Sequence, residues 1–380
     1  MSSLQYFHFP TEIIFGSGSS KEIFTQLSTD KYKKVLVVSD PGILQFGFFK
    51  DILENLQKMY EVNVFSQFSP NPLSNEIDDV KKIIGEFVPQ IILGIGGGAS
   101  LDVAKALSIS IGHRQPIMEY DEAIGGDKKI ISANLIPVWA VPTTSGTGSE
   151  VGRSAVISDS ITRQKKIIFH PKLIPTLVFC DPVLTESLPS RITANTGIDA
   201  FVHLFEAYCA PGFHPMADGI ALEGMHLISK SFIKAVNAPD LEARTNMMAA
   251  AMMGAVAFQK GLGNIHSCAH SLSACFDIHH GLANGVMLPY GAQINMEYLG
   301  KKAQIVSQIL GSVNSTKEDL PHLLMELITE TGIPTNLGAF NIKKPDCEKL
   351  SEYAFQDGCH LSNCRPMTKE MFHDLFLSAI

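Results

Sequence analysis

The stretch Ile91-Ile92-Leu93-Gly94-Ile95-Gly96-Gly97-Gly98-Ala99-Ser100-Leu101-Asp102-Val103-Ala104-Lys105-Ala106 reads as a buried strand, a glycine turn and a helix. Glycines let backbone N–H groups approach a phosphate, and the helix N-terminus that follows adds a favourable field. Gly94-x-Gly96-x-x-Ala99 also fits the relaxed dinucleotide fingerprint. An ordinary Rossmann continuation would place an acid about 20 residues on, at Glu119 or Asp121. Both fall in loop-like sequence instead. A better ribose acceptor is Asp40, which closes the strand expected at 34–39 and precedes Pro41-Gly42. A carboxylate there can accept from both ribose hydroxyls and repel a 2′-phosphate, while Asp-Pro-Gly is also a common turn cap.

Outward from this stretch, the first half alternates strands and helices. Residues 34–39 read as a strand, 48–59 as a helix, 60–65 as a strand, 74–87 as a helix and 90–95 as a strand. Continuous apolar strands alternating with helices imply a parallel sheet covered on both faces. After Asp181-Pro182-Val183-Leu184 the sequence is helix-forming with Gly and Pro punctuation. The expected organisation is an α/β Rossmann-like dinucleotide-binding domain over 1–185 and an all-α metal-binding and catalytic domain over 186–380, divided near 185–189. The loop Val141-Pro142-Thr143-Thr144-Ser145-Gly146-Thr147-Gly148-Ser149-Glu150 offers hydroxyls and glycines at a density that suits ligand contact or a polar loop.

The second concentration of chemistry lies in the helical half. Gly263-Asn264-Ile265-His266-Ser267-Cys268-Ala269-His270, running on to His279-His280-Gly281, gathers four of the chain's 13 histidines in largely apolar sequence. Upstream, Asp199 and His203 stand four apart, one turn along a single helix face. A lone histidine on an apolar helix is more often a hydrogen-bonded core residue than a ligand. Four of them with a carboxylate reverse that balance, because desolvated imidazoles are costly without a shared partner. Spacing alone leaves open which histidines would bind a metal, since His266 and His270 are themselves an i,i+4 pair.

Bulk properties exclude several classes. At 380 residues two domains are the natural expectation. A net charge of −8 without a Lys/Arg run argues against a nucleic-acid partner. The start Met1-Ser2-Ser3-Leu4-Gln5-Tyr6 has no basic and apolar leader pattern, and the longest apolar run, 247–258, is too short to span a bilayer. Seven scattered cysteines without a Cys-x-x-Cys pair read as reduced thiols in a cytoplasmic protein. Cys268 lies off the face shared by His266 and His270 and reads as packing.

Together these segments resemble the iron-containing (group III) alcohol dehydrogenase family, which shares its fold with glycerol dehydrogenase and dehydroquinate synthase. The resemblance covers nearly the whole chain. It rests on Gly96-Gly97-Gly98 with Asp102 and Lys105, on 142–150, on Gly197-Ile198-Asp199-Ala200 with His203 and Glu206-Ala207-Tyr208, on 263–270, on His280-Gly281 with Asn284, and on Arg365-Pro366. It implies Asp199, His203, His266 and His280 as metal ligands, with His270 beside a nicotinamide and His279 outside the set. His270 is the catalytic candidate, read either as a proton carrier, because an imidazole titrates near working pH, or as a support that holds a ligand in place. It also implies NAD contacts from Gly97, Gly98, Ser100, Asp102, Thr143, Thr144, Thr147 and Lys165, with Asp40 selecting NAD over NADP. Fe(II), with Zn(II) as the alternative, would act as a Lewis acid in hydride transfer between NAD(H) and a small alcohol or aldehyde. A homodimer or higher homo-oligomer is implied. Departures fall at Ser271, Ser273, Gly285 and Cys364, and at Gly152, Ser154 and 258–261, which would border the substrate. Two other readings are a lyase of the dehydroquinate synthase type and a non-catalytic NAD- or metal-binding module. The lyase needs several cations for an anionic substrate, and 192–224 contains no Lys or Arg. The binding module predicts bound cofactor without turnover.

Overall fold

The computed structural model describes residues 9, 11–29 and 32–380. The leader reading of Met1 to Tyr6 lies outside the described residues. Residues 11–144 and 149–185 cluster as one unit, and 145–148 with 186–380 as another.

Among the described residues the first unit carries eight strands: β1 (Glu12–Phe15), β2 (Lys34–Val38), β3 (Glu61–Phe65), β4 (Ile91–Gly96), β5 (Val138–Pro142), β6 (Ser154–Ser158), β7 (Lys165–Phe169) and β8 (Leu177–Cys180). Six form a wholly parallel sheet in the order β1-β8-β5-β4-β2-β3, and β6 and β7 make a separate antiparallel hairpin. Its helices are α1 (Glu22–Thr29), α2 (Gly47–Met59), α3 (Ser74–Asp78), α4 (Val80–Ile84) and α5 (Gly98–Gly112). The period of two in β2 explains the layering. Val35 and Val37 pack with Ile23, Leu27, Phe49 and Leu56 of α1 and α2. Leu36 and Val38 pack on the other face with Val80, Ile84, Val103 and Leu107 of α4 and α5. Each such side chain contributes roughly 1.5–3 kcal/mol when fully buried, so both helix layers are needed to cover the strands.

The chain runs from β2 to β3 on one side, then crosses to β4 on the other side of β2. In open parallel sheets this reversal opens a crevice beyond the carboxyl ends of the two strands, where ligands sit. Asp40 follows β2 and Gly97 follows β4. Gly96 makes the turn with φ of 149°, and a Cβ there would meet Ser100 Oγ at 2.3 Å. Only glycine fits. The helix expected at 74–87 is divided at Asp79 and stops at Gly85, whose φ of 60° ends it before Phe87. Asp79 has φ −76° and ψ −7°, so its carbonyl takes a tight bond from Lys82 N–H as well as one from Ile83 N–H.

The second unit is helical: α6 (Ser190–Cys209), α7 (Pro215–Asn237), α8 (Leu241–Ala257), α9 (Asn264–Phe276), α10 (His280–Leu299), α11 (Lys301–Leu310), α12 (Leu320–Glu330), α13 (Asp346–Gln356) and α14 (Lys369–Ser378). One apolar core runs through it, from Ile198, Phe201 and Phe205 of α6 to Phe232 of α7, Leu272 of α9, Val286 of α10 and Phe372 of α14. Cys268 lies fully buried in that core. Among the described residues no helix is long and apolar enough to cross a membrane.

Candidate active site

In the α/β unit, Asp40 and the glycine turn are bonded to each other. The Asp40 N–H donates to Ser100 Oγ at 3.1 Å, and Ser100 Oγ lies 3.2 Å from Asp40 Oδ2. Asp40 Oδ1 accepts from the N–H groups of Gly42 and Ile43 at 3.0 and 3.3 Å. The carboxylate therefore closes the turn after β2 and is held at the first turn of α5. Thr143 N–H donates to Gly96 O at 3.0 Å, and Thr144 packs against Gly97. The Thr143 hydroxyl is buried without a hydrogen-bond partner among the described residues. A buried hydroxyl left without a protein partner requires a water or a ligand to satisfy it.

Asp102, expected among the cofactor contacts, makes its bonds within the protein. It accepts from Ser149 Oγ at 2.5 Å and Val156 N–H at 3.1 Å and pairs with Lys105 at 3.0 Å. Lys105 is buried and also reaches Ser149 Oγ and the Ser154 carbonyl. This network ties α5 to the segment leading into β6. Lys165 opens β7 opposite Ser158. Thr147 is half-buried in the 145–148 loop, which belongs to the helical unit.

In the helical unit, three helices each bring a pair of polar residues to one place. Asp199 and His203 come from α6, His266 and His270 from α9, His280 and Asn284 from α10. Ligand atoms of Asp199, His203, His266 and His280 all lie within 4.8 Å of one another. The rings of His203 and His266 stack with centroids 4.7 Å apart, and those of His266 and His280 lie at 5.5 Å. Gly281 permits this approach, because a Cβ there would stand 1.9 Å from the Asn195 carbonyl oxygen of α6. Asn284 Nδ2 donates to Asp199 Oδ1 at 2.7 Å and so aims the carboxylate. Ser273 Oγ donates to the Ile278 carbonyl at 2.8 Å, which closes the turn leading into α10. His279 is exposed and stands outside the cluster.

The donor set fits a divalent metal. His203 Nδ1 and His266 Nε2 are buried with no hydrogen-bond partner among the described residues. Two orphaned imidazole nitrogens beside a buried carboxylate are costly unless one cation satisfies them together. Burial pulls the His203 pKa down to about 4, so the ring stays neutral and its lone pair stays free to coordinate. Burial also opposes charge on His266, but its bond to Glu206 and the charges of Glu206 and Asp199 raise its pKa on balance.

Two carboxylates supporting the histidines were not singled out as site residues from sequence. Glu206 lies on α6 one turn beyond His203, and its Oε2 takes His266 Nδ1 at 2.6 Å. The same carboxylate caps α9 by accepting from Gly263 and Ile265 N–H at 2.9 and 2.7 Å. The i, i+4, i+7 series Asp199, His203, Glu206 was a usable signal for it. Asp357 takes His270 Nδ1 at 2.7 Å. Burial would raise its pKa, but His270, the Cys359 N–H and Ser267 together hold it well below the usual carboxylate range.

Comparison with known proteins finds family matches over both units. The iron-containing alcohol dehydrogenase model matches residues 10–182, and the C-terminal model of the Fe-containing alcohol dehydrogenase family matches 193–380. The chain is 33% identical to alcohol dehydrogenase 4 of Saccharomyces cerevisiae, covering 97% of each chain. It is 31% identical to the NAD-dependent methanol dehydrogenase of Bacillus methanolicus, over 98% of this chain and 99% of that one. A crystal structure of 1,3-propanediol oxidoreductase superposes with a TM-score of 0.93 at 29% identity, over 99% of this chain and 100% of that one. The matched family models and the relatives named alcohol, methanol and 1,3-propanediol dehydrogenases make the chain an oxidoreductase of the alcohol dehydrogenase class. The chain belongs to the iron-containing alcohol dehydrogenase family.

Proposed function

We propose that this enzyme is an NAD(H)-linked, metal-dependent dehydrogenase that interconverts a primary or small alcohol and its aldehyde. The observation that carries the reading is the convergence of one carboxylate and three imidazoles, in which His203 Nδ1 and His266 Nε2 are buried with no hydrogen-bond partner among the described residues. Asp199, His203, His266 and His280 would hold one divalent ion. Three imidazoles, one carboxylate and no thiolate make a borderline set that suits Fe(II), with Zn(II) as the alternative. When bound, the metal supplies Lewis acidity that lowers the pKa of an alcohol hydroxyl, and NAD⁺ supplies the hydride acceptor.

The chain's own residues bind, orient and move the proton. The backbone of Gly97 and Gly98 at the start of α5 takes the pyrophosphate, where N–H groups and the helix field converge. Thr143, Thr144 and Thr147 contact the adenine and ribose end, and Lys165 the nicotinamide ribose. Asp40 accepts from the adenine ribose, while Ser100 holds Asp40 and Asp102 holds the 149–156 segment. His270 carries the proton at Nε2, because its Nδ1 is committed to Asp357. NAD is supported by the strand-order reversal that puts Asp40 beside the glycine turn, and by the relative named an NAD-dependent methanol dehydrogenase.

In this reading residues 1–185 form the dinucleotide-binding domain and 186–380 the metal-binding and catalytic one. The protein works in the cytoplasm, in keeping with seven free cysteines, and as a homodimer or higher homo-oligomer. The test is NADH-dependent reduction of an aldehyde panel, from acetaldehyde to hydroxyaldehydes, by protein reconstituted anaerobically with Fe(II). Turnover of at least one aldehyde, lost on chelation, is expected. Tight cofactor and metal binding with no turnover across the panel would leave only a binding module.

A further inference from the structure

We propose that Asp357 is the positioning residue for His270: it fixes the imidazole as the Nδ1–H tautomer and so leaves Nε2 as the nitrogen that exchanges the proton. This rests on the proton-carrying role given to His270 above. The hydrogen-bond directions around Asp357 leave little choice. Its Oδ1 accepts from the Cys359 backbone N–H at 2.9 Å, a group that can only donate. Oδ1 also accepts from Ser267 Oγ at 2.8 Å. Ser267 Oγ is itself an acceptor, from His360 N–H at 3.0 Å, so its one proton is directed at Asp357. With Oδ1 filled by two donors, Oδ2 faces His270 Nδ1 at 2.7 Å as an acceptor, and the proton between them belongs to the imidazole.

The arrangement repeats, one turn further along α9, what Glu206 does for His266. There too a carboxylate holding backbone N–H groups takes Nδ1, at 2.6 Å, and leaves Nε2 facing the cluster. The His270 ring stacks on that of His280 with centroids 5.1 Å apart, so its orientation bears directly on the cluster. Asp357 comes from just beyond α13, 87 residues from its partner, with no motif linking the two.

The substitution Asp357→Asn makes a sharp test. Cys359 N–H and Ser267 still require an oxygen, so the asparagine amide must turn its NH₂ toward His270 and impose the Nε2–H tautomer. The tautomer is read from ¹⁵N shifts of labelled histidine in the zinc-loaded full chain, alongside metal content, NADH affinity and steady-state kinetics. Wild type should show Nδ1–H at His270 and Asp357→Asn should show Nε2–H. The kcat of Asp357→Asn should fall by about a hundredfold or more, toward the loss expected when a general acid–base group is disabled, with metal content and NADH affinity unchanged. Asp357→Glu should restore Nδ1–H and most of the rate. On a His270→Ala background Asp357→Asn should cost nothing further, whereas a merely structural role would multiply the two losses.

A wild-type Nε2–H tautomer would overturn the proposal without any variant, as would an unchanged tautomer in Asp357→Asn or independent losses in the double variant. If His270→Ala retains full turnover while the tautomer switches as expected, the proton-carrying role of His270 fails and the positioning by Asp357 stands.

Discussion

The glycine turn after β4 and the histidine cluster of α6, α9 and α10 are both built to receive something, by opposite means. At the glycine turn the polar side chains largely satisfy one another: Asp40 closes its own turn and bonds Ser100, and Asp102 pairs with Lys105 and Ser149. What remains to offer is backbone N–H and the Thr143 hydroxyl, which has no hydrogen-bond partner among the described residues. At the cluster the supporting carboxylate of Glu206 is fully used, while His203 Nδ1 and His266 Nε2 are buried with no hydrogen-bond partner among the described residues. A site for a large anion can be made by backbone and a helix field, whose donors solvent satisfies when the ligand leaves. A site for a small cation must hold several lone pairs together in a desolvated space, and only a ligand of matching charge relieves the cost.

The largest expected effect follows from that asymmetry. His266→Ala or His280→Ala should remove most bound metal and activity, whereas His279→Ala, which alters an exposed ring outside the cluster, should leave metal stoichiometry intact. Metal analysis of the purified variants decides it, and metal loss in His279→Ala with retention in His280→Ala would reverse the assignment. Next comes Glu206→Gln. It keeps the shape but weakens the bond that orients His266 and the cap on α9, so metal affinity should drop about ten- to a hundredfold. Unchanged affinity in a chelator competition would reduce Glu206 to a helix cap.

Smaller effects belong to the glycine turn. Asp40→Asn keeps a side-chain oxygen for Gly42 and Ile43 but removes the charge and the second acceptor oxygen, which faces Ser100 Oγ. A like charge near a 2′-phosphate costs about 1–4 kcal/mol between watery and partly desolvated limits, so the kcat/KM ratio should shift toward NADP by tenfold or more. A wild-type preference for NADPH would make Asp40 a turn residue alone. Thr143→Val should weaken NADH binding, measured by fluorescence, by about 1 kcal/mol, the net value of one hydrogen bond. Without cofactor the folded protein should lose little, since the hydroxyl has no partner to forfeit. Equal loss of thermal stability with and without NADH would show that the hydroxyl serves the fold.

The strand–turn–helix at 91–106 was legible because strand burial and glycine conformation are local properties. The same holds for the pairing of Asp199 with His203, which a single helical turn fixes. The division of the helix at 74–87 was not, because the tight turn at Asp79 leaves no mark in apolar spacing. Which of four histidines converge was also beyond spacing, and the resemblance to a family was needed to choose among them.

What the sequence determined by itself was therefore the α/β-then-helical order, the glycine turn between strand and helix, and the concentration of metal-ligand residue types. Each depends on residues a few positions apart. What only the tertiary structure decided was that Gly281 brings α10 close enough for His280 to reach Asp199, and that Glu206 and Asp357 each take one nitrogen of a histidine on α9. These carboxylates lie 60 and 87 residues from the histidines they hold. No propensity or period reaches that far along a chain. Their meeting is set by helix packing, and the direction of each proton by which neighbours can only donate.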